Sequence, residues 1–461
     1  MKYLNKSLFG LACVTGVTST GWSQQQENRP SKLPNIVLIM ADDMGKECLN
    51  CYGNIEYKTP NLDRLAAQGI RFDRCFSQPL STPSRVKLMT GKYNYRNYED
   101  FGFLNPNQVT FGTLMKNAGY ATCIAGKWQL NGLNRDNPGN QDTDRPFHFG
   151  FDEYCLWQLH HKKPDGERYA NPLITQNGRD LPRNADYYGP DIFSDYICDF
   201  IKRNSGKPFF AYYPMALIHD PFVPTPDSPE WKNPALRYKS DTSYVADMVA
   251  YVDKIVLKIE NALKANGVWE NTILIFTGDN GTGQPVYSKT IQGNIKGGKG
   301  TTINTGNHVP MIVTWPANIK GNKVYKDPVV FADILPTLAD AGGIDPHSYS
   351  TDGKSFFSLL SNNKKTGQKE VFIHYSPRWG NTNGKYGIKA AHNRWVMNGE
   401  YKLYRDGRFY NTLIDPNEDN PLSVITKKEE KIRKKYNIIL QQEENEFPFH
   451  LNDKEFHLES K

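Results

Sequence analysis

The chain has 461 residues, 38% of them hydrophobic and 12% aromatic, with a formal net charge of +7. That is ample apolar material for one large domain and a smaller companion. The modest positive balance suits an anionic substrate, whereas the lack of a basic block excludes a nucleic-acid reading, and no internal apolar run is long enough for a membrane span.

Taken in chain order, Lys2 and Lys6 precede the apolar run "LFGLACVTGVTSTGW", and the polar "SQQQENRPSK" follows. This reads as a secretory signal peptide over residues 1–23, cleaved near Gly21-Trp22-Ser23, then a linker over 24–32, and it implies a periplasmic or secreted protein. Cys13 leaves with the leader. Cys48, Cys51, Cys75, Cys123, Cys155 and Cys198 read as free buried thiols, because the single C-x-x-C of Cys48 and Cys51 has no second pair to complete a zinc site.

Apolar runs bounded by turn residues predict core strands at "NIVLIM" (Asn35–Met40), "PFFAYYPM" (Pro208–Met215), "TILIFTG" (Thr272–Gly278) and "PMIVTW" (Pro310–Trp315). Asp241–Gly267 keeps apolar residues at three-and-four spacing and predicts an amphipathic helix. The composition turns polar near Leu359–Gln368, which divides an N-terminal domain (33–365) from a C-terminal subdomain (366–461). In the latter, "RWVMNGEYKLYRDGRFYNTL" predicts short antiparallel strands with Asn-Gly and Asp-Gly turns, followed by a charged helix over Thr426–Asn445. The whole reads as an α/β architecture.

Strand ends are where such sheets gather function. Asp42 and Asp43 follow the first strand, and Asp279 and Asn280 follow the third. Either pair alone reads as turn residues, but together they offer an all-oxygen set suited to a hard divalent cation such as calcium. Lys127 in "AGKWQLNG" and Lys299 in "NIKGGKGTT" sit beside glycines without matching a phosphate loop, and His219 and His308 adjoin predicted strands. The segment "QPLSTPSRVKLMTG" (Gln78–Gly91) crowds Ser81, Ser84 and Arg85 into an expected turn that lacks the Gly-x-Ser-x-Gly of serine hydrolases.

Together these pieces resemble the formylglycine-dependent type I sulfatases of the alkaline-phosphatase superfamily. The signature is Cys or Ser, any residue, Pro-Ser-Arg, then Leu and Thr-Gly, and "STPSRVKLMTG" matches it throughout. The blocks "NIVLIMADDMG", "AGKWQL", "IHDPF", "FTGDNG", "GGKGTT" and "GEYKLYRDGRFYNTLIDPNED" extend the resemblance over most of the chain. It implies a large mixed β-sheet sandwiched by helices, with a smaller C-terminal α+β subdomain on a short antiparallel sheet. It also implies a sulfuric ester hydrolase, expected to be exo-acting on a sulfated carbohydrate such as a galactose or N-acetylhexosamine sulfate of host or algal glycans.

The resemblance assigns roles as well. Ser81 would be converted to Cα-formylglycine by an oxygen-independent radical maturase that reads Thr82, Pro83 and Ser84. The hydrated aldehyde would attack sulfur through one hydroxyl, and collapse of the hemiacetal would then expel sulfate. Asp42, Asp43, Asp279, Asn280 and the modified Ser81 would hold calcium. Arg85 would orient the nucleophile, Lys127 and Lys299 would clamp the sulfate, and His219 would protonate the leaving oxygen. Two positions depart from the family pattern: Gln129 stands where a histidine is usual, and His308 is an added imidazole, expected to supply the missing base or a substrate contact. Substrate selection is expected from Gln129, His160, His161, Arg168, Tyr169, Arg378 and Trp379, whose rings stack on sugars and whose cations read hydroxyls or a second anion. The alternatives are a phosphatase, phosphodiesterase or phosphonate hydrolase on the same fold, and a sulfoglycan-binding protein without turnover.

Overall fold

Seven buried residues, Asn35–Ala41, run through the middle of a ten-stranded mixed sheet. The computed structural model describes residues 33–132, 137, 139–159, 167–377 and 392–449, so the expected signal peptide and linker lie outside the described residues. Across the sheet the order is Lys323–Tyr325, Ile70–Phe72, Met311–Thr314, Thr272–Gly278, Asn35–Ala41, Phe209–Pro214, Ala121–Lys127, Glu153–Trp157, Ile174–Gln176 and Arg179–Asp180. The five strands from Thr272–Gly278 to Glu153–Trp157 are mutually parallel, so their C-terminal ends share one edge.

Side-chain alternation along the first strand splits the core in two. Val37, Ile39 and Ala41 join one apolar cluster with the helices Gly189–Asn204 and Val245–Ala265. Ile36, Leu38 and Met40 join the other, with Ser81–Thr90, Phe111–Asn117 and Ile334–Ala341. Helices on both faces explain why the central strands are continuously apolar rather than alternating. The helix predicted over Asp241–Gly267 is observed as Val245–Ala265, preceded by a 3-10 turn that the Asp241 side chain caps at Ser243 N.

The C-terminal segment forms a four-stranded antiparallel sheet, Val371–Tyr375, Asn393–Met397, Tyr401–Tyr404 and Phe409–Asn411. The first of these was not predicted; the other three match the expected Asn-Gly and Asp-Gly hairpins. A helix over Lys427–Glu446, capped reciprocally by Thr426 and Glu429, buries Tyr436 and Leu440 against this sheet. Among the described residues no helix is long and apolar enough to cross a membrane.

Candidate active site and metal centre

The Ser-x-Pro-Ser-Arg segment is a helix, Ser81–Thr90, rather than the expected turn, and all ten of its residues are buried. Ser84 ties its entry down: Oγ accepts from Gln78 N and donates to the Gln78 carbonyl, both at 3.0 Å. Gly91, in the left-handed region at φ 66°, closes the helix by donating to the Lys87 carbonyl. One helical turn separates Ser81 from Arg85, so the two side chains share a face, and Arg85 Nε donates to Ser81 Oγ at 3.1 Å. Arg85 Nη1 donates to the Trp128 carbonyl.

Around Ser81 stand groups from the shared strand edge. Asp42 and Asp43 follow Ala41, Asp279 and Asn280 follow Gly278, Lys127 ends its own strand, and His219 follows the strand Phe209–Pro214. Asp43 is held in the left-handed region, φ 56°, which Asp tolerates better than most side chains. Its backbone N–H donates to Asp279 Oδ1 at 2.9 Å, and Asn280 Nδ2 donates to Asp43 Oδ1 at 2.8 Å. Asn280 Oδ1 is buried and has no hydrogen-bond partner among the described residues.

Two ammonium groups lock this acidic set. Lys127 Nζ lies 2.9 and 2.8 Å from the two oxygens of Asp42 and 3.2 Å from Ser81 Oγ. The strand kinks to admit it at Gly126, φ 124°, where a Cβ would fall 2.0 Å from the Pro214 carbonyl oxygen. Lys299 Nζ lies 2.6 Å from Asp43 Oδ2 and 3.0 Å from His219 Nε2. Burial lowers the Lys127 ammonium below its ordinary range, which the Asp42 carboxylate only partly offsets. Burial opposes the Lys299 charge too, but Asp43 and Asp42 outweigh it and hold that group above its ordinary range.

His219 is oriented from behind. Its Nδ1 lies 2.7 Å from the Asp220 carbonyl and 3.0 Å from the Asp220 carboxylate, both acceptors, so Nδ1 carries the proton and Nε2 presents a lone pair to Lys299. Asp42, Asp43 and His219 bring potential ligand atoms within 4.8 Å of one another.

Other expected site residues are placed differently. His308 is buried, with Nε2 donating to the Asp73 carbonyl at 2.7 Å and its ring 4.7 Å from that of Phe76. Burial, with Lys46 and Arg74 adding to it, holds it well below its ordinary range, so it is neutral. It packs opposite Phe76, with its imidazole turned to the Asp73 carbonyl. Tyr169 is buried against Tyr188, and its hydroxyl lies 2.8 and 2.6 Å from the Ala216 and His219 carbonyls. It fixes the His219 segment instead of stacking on a sugar. Gln129 stays at the strand edge, its amide donating to Gln158 Oε1, with both residues in the left-handed region. Arg168 lies over Trp157. His160, His161, Arg378 and Trp379 lie outside the described residues.

Sequence reasoning passed over Gln158 and Asp220, and also a buried network from the C-terminal sheet. Lys402 Nζ lies 2.7 Å from Glu418 Oε1 and donates to the Thr302 carbonyl, three residues beyond Lys299, while Tyr404 also bonds Glu418. A lysine at alternate-residue spacing inside an otherwise buried strand was the available signal. All six described cysteines are free; Cys48, Cys75, Cys123 and Cys155 are buried, whereas Cys51 and Cys198, expected to be buried too, are only partly so.

Residues 34–344 match the family model described as sulfatase, and residues 299–446 match one described as N-sulphoglucosamine sulphohydrolase, C-terminal. The chain is 30% identical over 382 residues to an arylsulfatase of Hemicentrotus pulcherrimus, covering 76% of this chain and 66% of that protein. It is 29% identical over 410 residues to an N-acetylgalactosamine-6-O-sulfatase of Bacteroides thetaiotaomicron, covering 71% and 77% respectively. The crystal structure of Ps i-CgsB shares the fold, with a TM-score of 0.72 at 24% identity over 89% of this chain and 92% of that one.

Proposed function

The chain belongs to the sulfatase family of sulfuric ester hydrolases, and we propose that it removes sulfate esters from a carbohydrate by exo-acting hydrolysis at Ser81. The single observation that carries this reading is Ser81 Oγ itself, which meets Arg85 Nε at 3.1 Å and Lys127 Nζ at 3.2 Å beside the acidic set. Among the described residues the side chains bonded to Ser81 Oγ are these two cations and no general base, which fits a residue used after conversion to Cα-formylglycine by a maturase. The relative from Bacteroides thetaiotaomicron, named for an N-acetylgalactosamine sulfate, supports a sulfated amino sugar or a related sugar as substrate. Export through the 1–23 leader, and a division into a 33–365 catalytic domain and a 366–461 subdomain, belong to the same reading.

The donor set suits calcium. Asp42, Asp43, Asp279 and Asn280 present only oxygens, and the orphaned Asn280 Oδ1 is the kind of buried acceptor that a cation satisfies. Calcium, when bound there, would neutralise sulfate charge and lower the pKa of the nucleophile. Formylglycine, when formed, supplies a hydrated carbon with one hydroxyl to attack sulfur and a second through which sulfate is released.

The chain's own residues do the rest. The carboxylates of Asp42, Asp43 and Asp279 are balanced by Arg85, Lys127 and Lys299, so a divalent cation leaves the pocket with two positive charges to draw in a sulfate ester. Lys127 and Lys299 then turn from the carboxylates to the sulfate oxygens, where charge shifts in the transition state. Release of Lys299 frees the His219 Nε2 lone pair to take up a proton from water, and the imidazolium so formed, held at Nδ1 by Asp220, gives that proton to the departing sugar oxygen.

The test is the mass of the tryptic peptide Cys75–Arg85 from protein made in its native host, with turnover assayed on the same sample. Loss of two hydrogens, hydrazine trapping at position 81 and release of sulfate are the expected results. Unmodified serine, from a host shown to mature other serine-type sulfatases, together with no sulfate release from any ester, would overturn the reading.

A further inference from the structure

Tyr169 offers one hydroxyl to two carbonyls, 2.8 Å from that of Ala216 and 2.6 Å from that of His219. These residues are the two ends of a tight turn, closed from within by His219 N, which donates to the Ala216 carbonyl at 3.2 Å. A single phenolic proton shared between both carbonyls ties that turn from outside. Among the described residues no other donor reaches the His219 carbonyl.

The turn has two anchors of different kinds. Leu217 and Ile218 are bonded to the backbone of Asp42, each at 2.7 Å, and so move with the acidic set. His219 is the first residue past those bonds, and its carbonyl is held by Tyr169 instead. Tyr169 is itself fixed: its ring stacks on Tyr188 at 6.0 Å and 22°, its carbonyl accepts from Gly189 N at 2.8 Å, and it is 3% exposed. Burial pushes its hydroxyl well above the ordinary tyrosine range, so it keeps the proton it donates. Since the imidazole is carried on that backbone and turned from Nδ1 by Asp220, the reach of Nε2 toward a leaving oxygen depends on the Tyr169 bonds. Ser81 Oγ is served by other elements, through Arg85 and Lys127.

We propose that Tyr169 is a positioning residue for proton delivery, acting on departure of the leaving oxygen and not on attack at sulfur. This rests on the reading of Ser81 as a sulfatase centre with His219 as its acid. The two halves of the reaction are then held by separable parts of the fold, and the leaving group decides how much the Tyr169 hydroxyl matters.

The test compares kcat/KM of matured wild type, Tyr169→Phe, His219→Ala and the double variant on two esters. One is a hexosamine O-sulfate, whose sugar oxygen leaves poorly without a proton; the other is a nitrophenyl sulfate, whose phenolate leaves unaided. Phenylalanine keeps the ring stack and removes only the hydroxyl. In Tyr169→Phe the ratio of kcat/KM for the sugar ester over the aryl ester should fall on the order of ten- to hundredfold, mainly through kcat. His219→Ala should lower that ratio at least as far, and the double variant should fall no further than His219→Ala. Equal losses on both esters, a full additional loss in the double variant, or a His219→Ala ratio that stays at wild type would overturn the proposal. Hydrogen exchange at the His219 amide of unconverted Ser81 protein reads the turn without turnover, and should quicken in Tyr169→Phe by about tenfold or more. Quickened exchange beside a matured wild type that releases sulfate from neither ester would sink the sulfatase reading and leave Tyr169 as the tie on His219. Unchanged exchange beside normal wild-type turnover would sink the Tyr169 proposal alone.

Discussion

The Lys127 ammonium holds both oxygens of Asp42, at 2.9 and 2.8 Å, and reaches Ser81 Oγ at 3.2 Å. One side chain thereby joins the acidic set to the nucleophile position. Lys127→Ala removes that cation where transition-state charge develops, and kcat on an aryl sulfate should fall on the order of a hundred- to a thousandfold. It also leaves Asp42 buried and unpaired, so thermal unfolding should occur at lower temperature in chelator and recover in calcium. A variant equally destabilised with and without calcium would place the cation away from Asp42.

Asn280→Ala should weaken calcium binding, read by calorimetry, by at least about tenfold, because it removes the buried oxygen that no donor among the described residues satisfies. Chelation of wild type should abolish turnover and leave the far-ultraviolet dichroism intact, since Lys127 and Lys299 already neutralise Asp42 and Asp43. Unchanged calcium affinity in the variant would remove Asn280 from the donor set.

Lys402→Met strips the cation from a buried pair with Glu418, and should cost about 3–5 kcal/mol in denaturant unfolding. Turnover of every substrate should fall as well, because the Thr302 carbonyl that Lys402 holds is three residues from Lys299. Lys402→Met with Glu418→Gln should recover much of the stability. If the double variant also regained full turnover, Lys402 would have no part in positioning Lys299.

Stability should depend on pH through Lys87 and Asp333, which lie away from the acidic set. Burial pushes Lys87 down to about 7 and Asp333 up to about 6. Unfolded, they titrate near about 10.4 and about 3.9. Between pH 7 and 10 the unfolded chain binds a proton at Lys87 that the folded chain lacks, so stability rises with pH across that window. Between pH 6 and 4 the folded chain holds a proton at Asp333 that the unfolded chain lacks, so that term rises as pH falls. Lys87→Met should erase the alkaline gain, and the stability difference from wild type should change by about 2 kcal/mol between pH 7 and 9. A difference that stays constant would mean that Lys87 is hydrated in the folded protein.

The parts of this fold that were legible in advance are those with a strong period. Asn35–Ala41 and Thr272–Gly278 are unbroken aliphatic runs, and Val245–Ala265 keeps a clear apolar stripe. Ala121–Lys127 shows less because its two Ala, Gly and Lys are poor strand formers and only Thr122 and Ile124 are β-branched, although it delivers Lys127 to the site. Ser81–Thr90 reads as a turn in the sequence because a helix buried on every side shows no amphipathic pattern. The acidic set was readable from strand ends alone. His308 and Tyr169 were not, because spacing says nothing of which way a ring turns; a short strand aims one at Asp73, and the other is drawn beneath His219.

If Ser81 is matured as proposed, the burial of Ser81–Thr90 sets a race between folding and oxidation. An enzyme that oxidises Ser81 must take the segment into its own cleft, and once the helix is packed between sheet and loops that access is gone. The segments that pack at the entry to this helix include Gly300, whose N–H donates to the Pro79 carbonyl at 2.8 Å from more than two hundred positions later in the chain, so the opportunity would span much of synthesis. On that reading, whatever hastens folding relative to oxidation would yield folded protein that stays inactive. Specific activity, rather than yield, reports which process won.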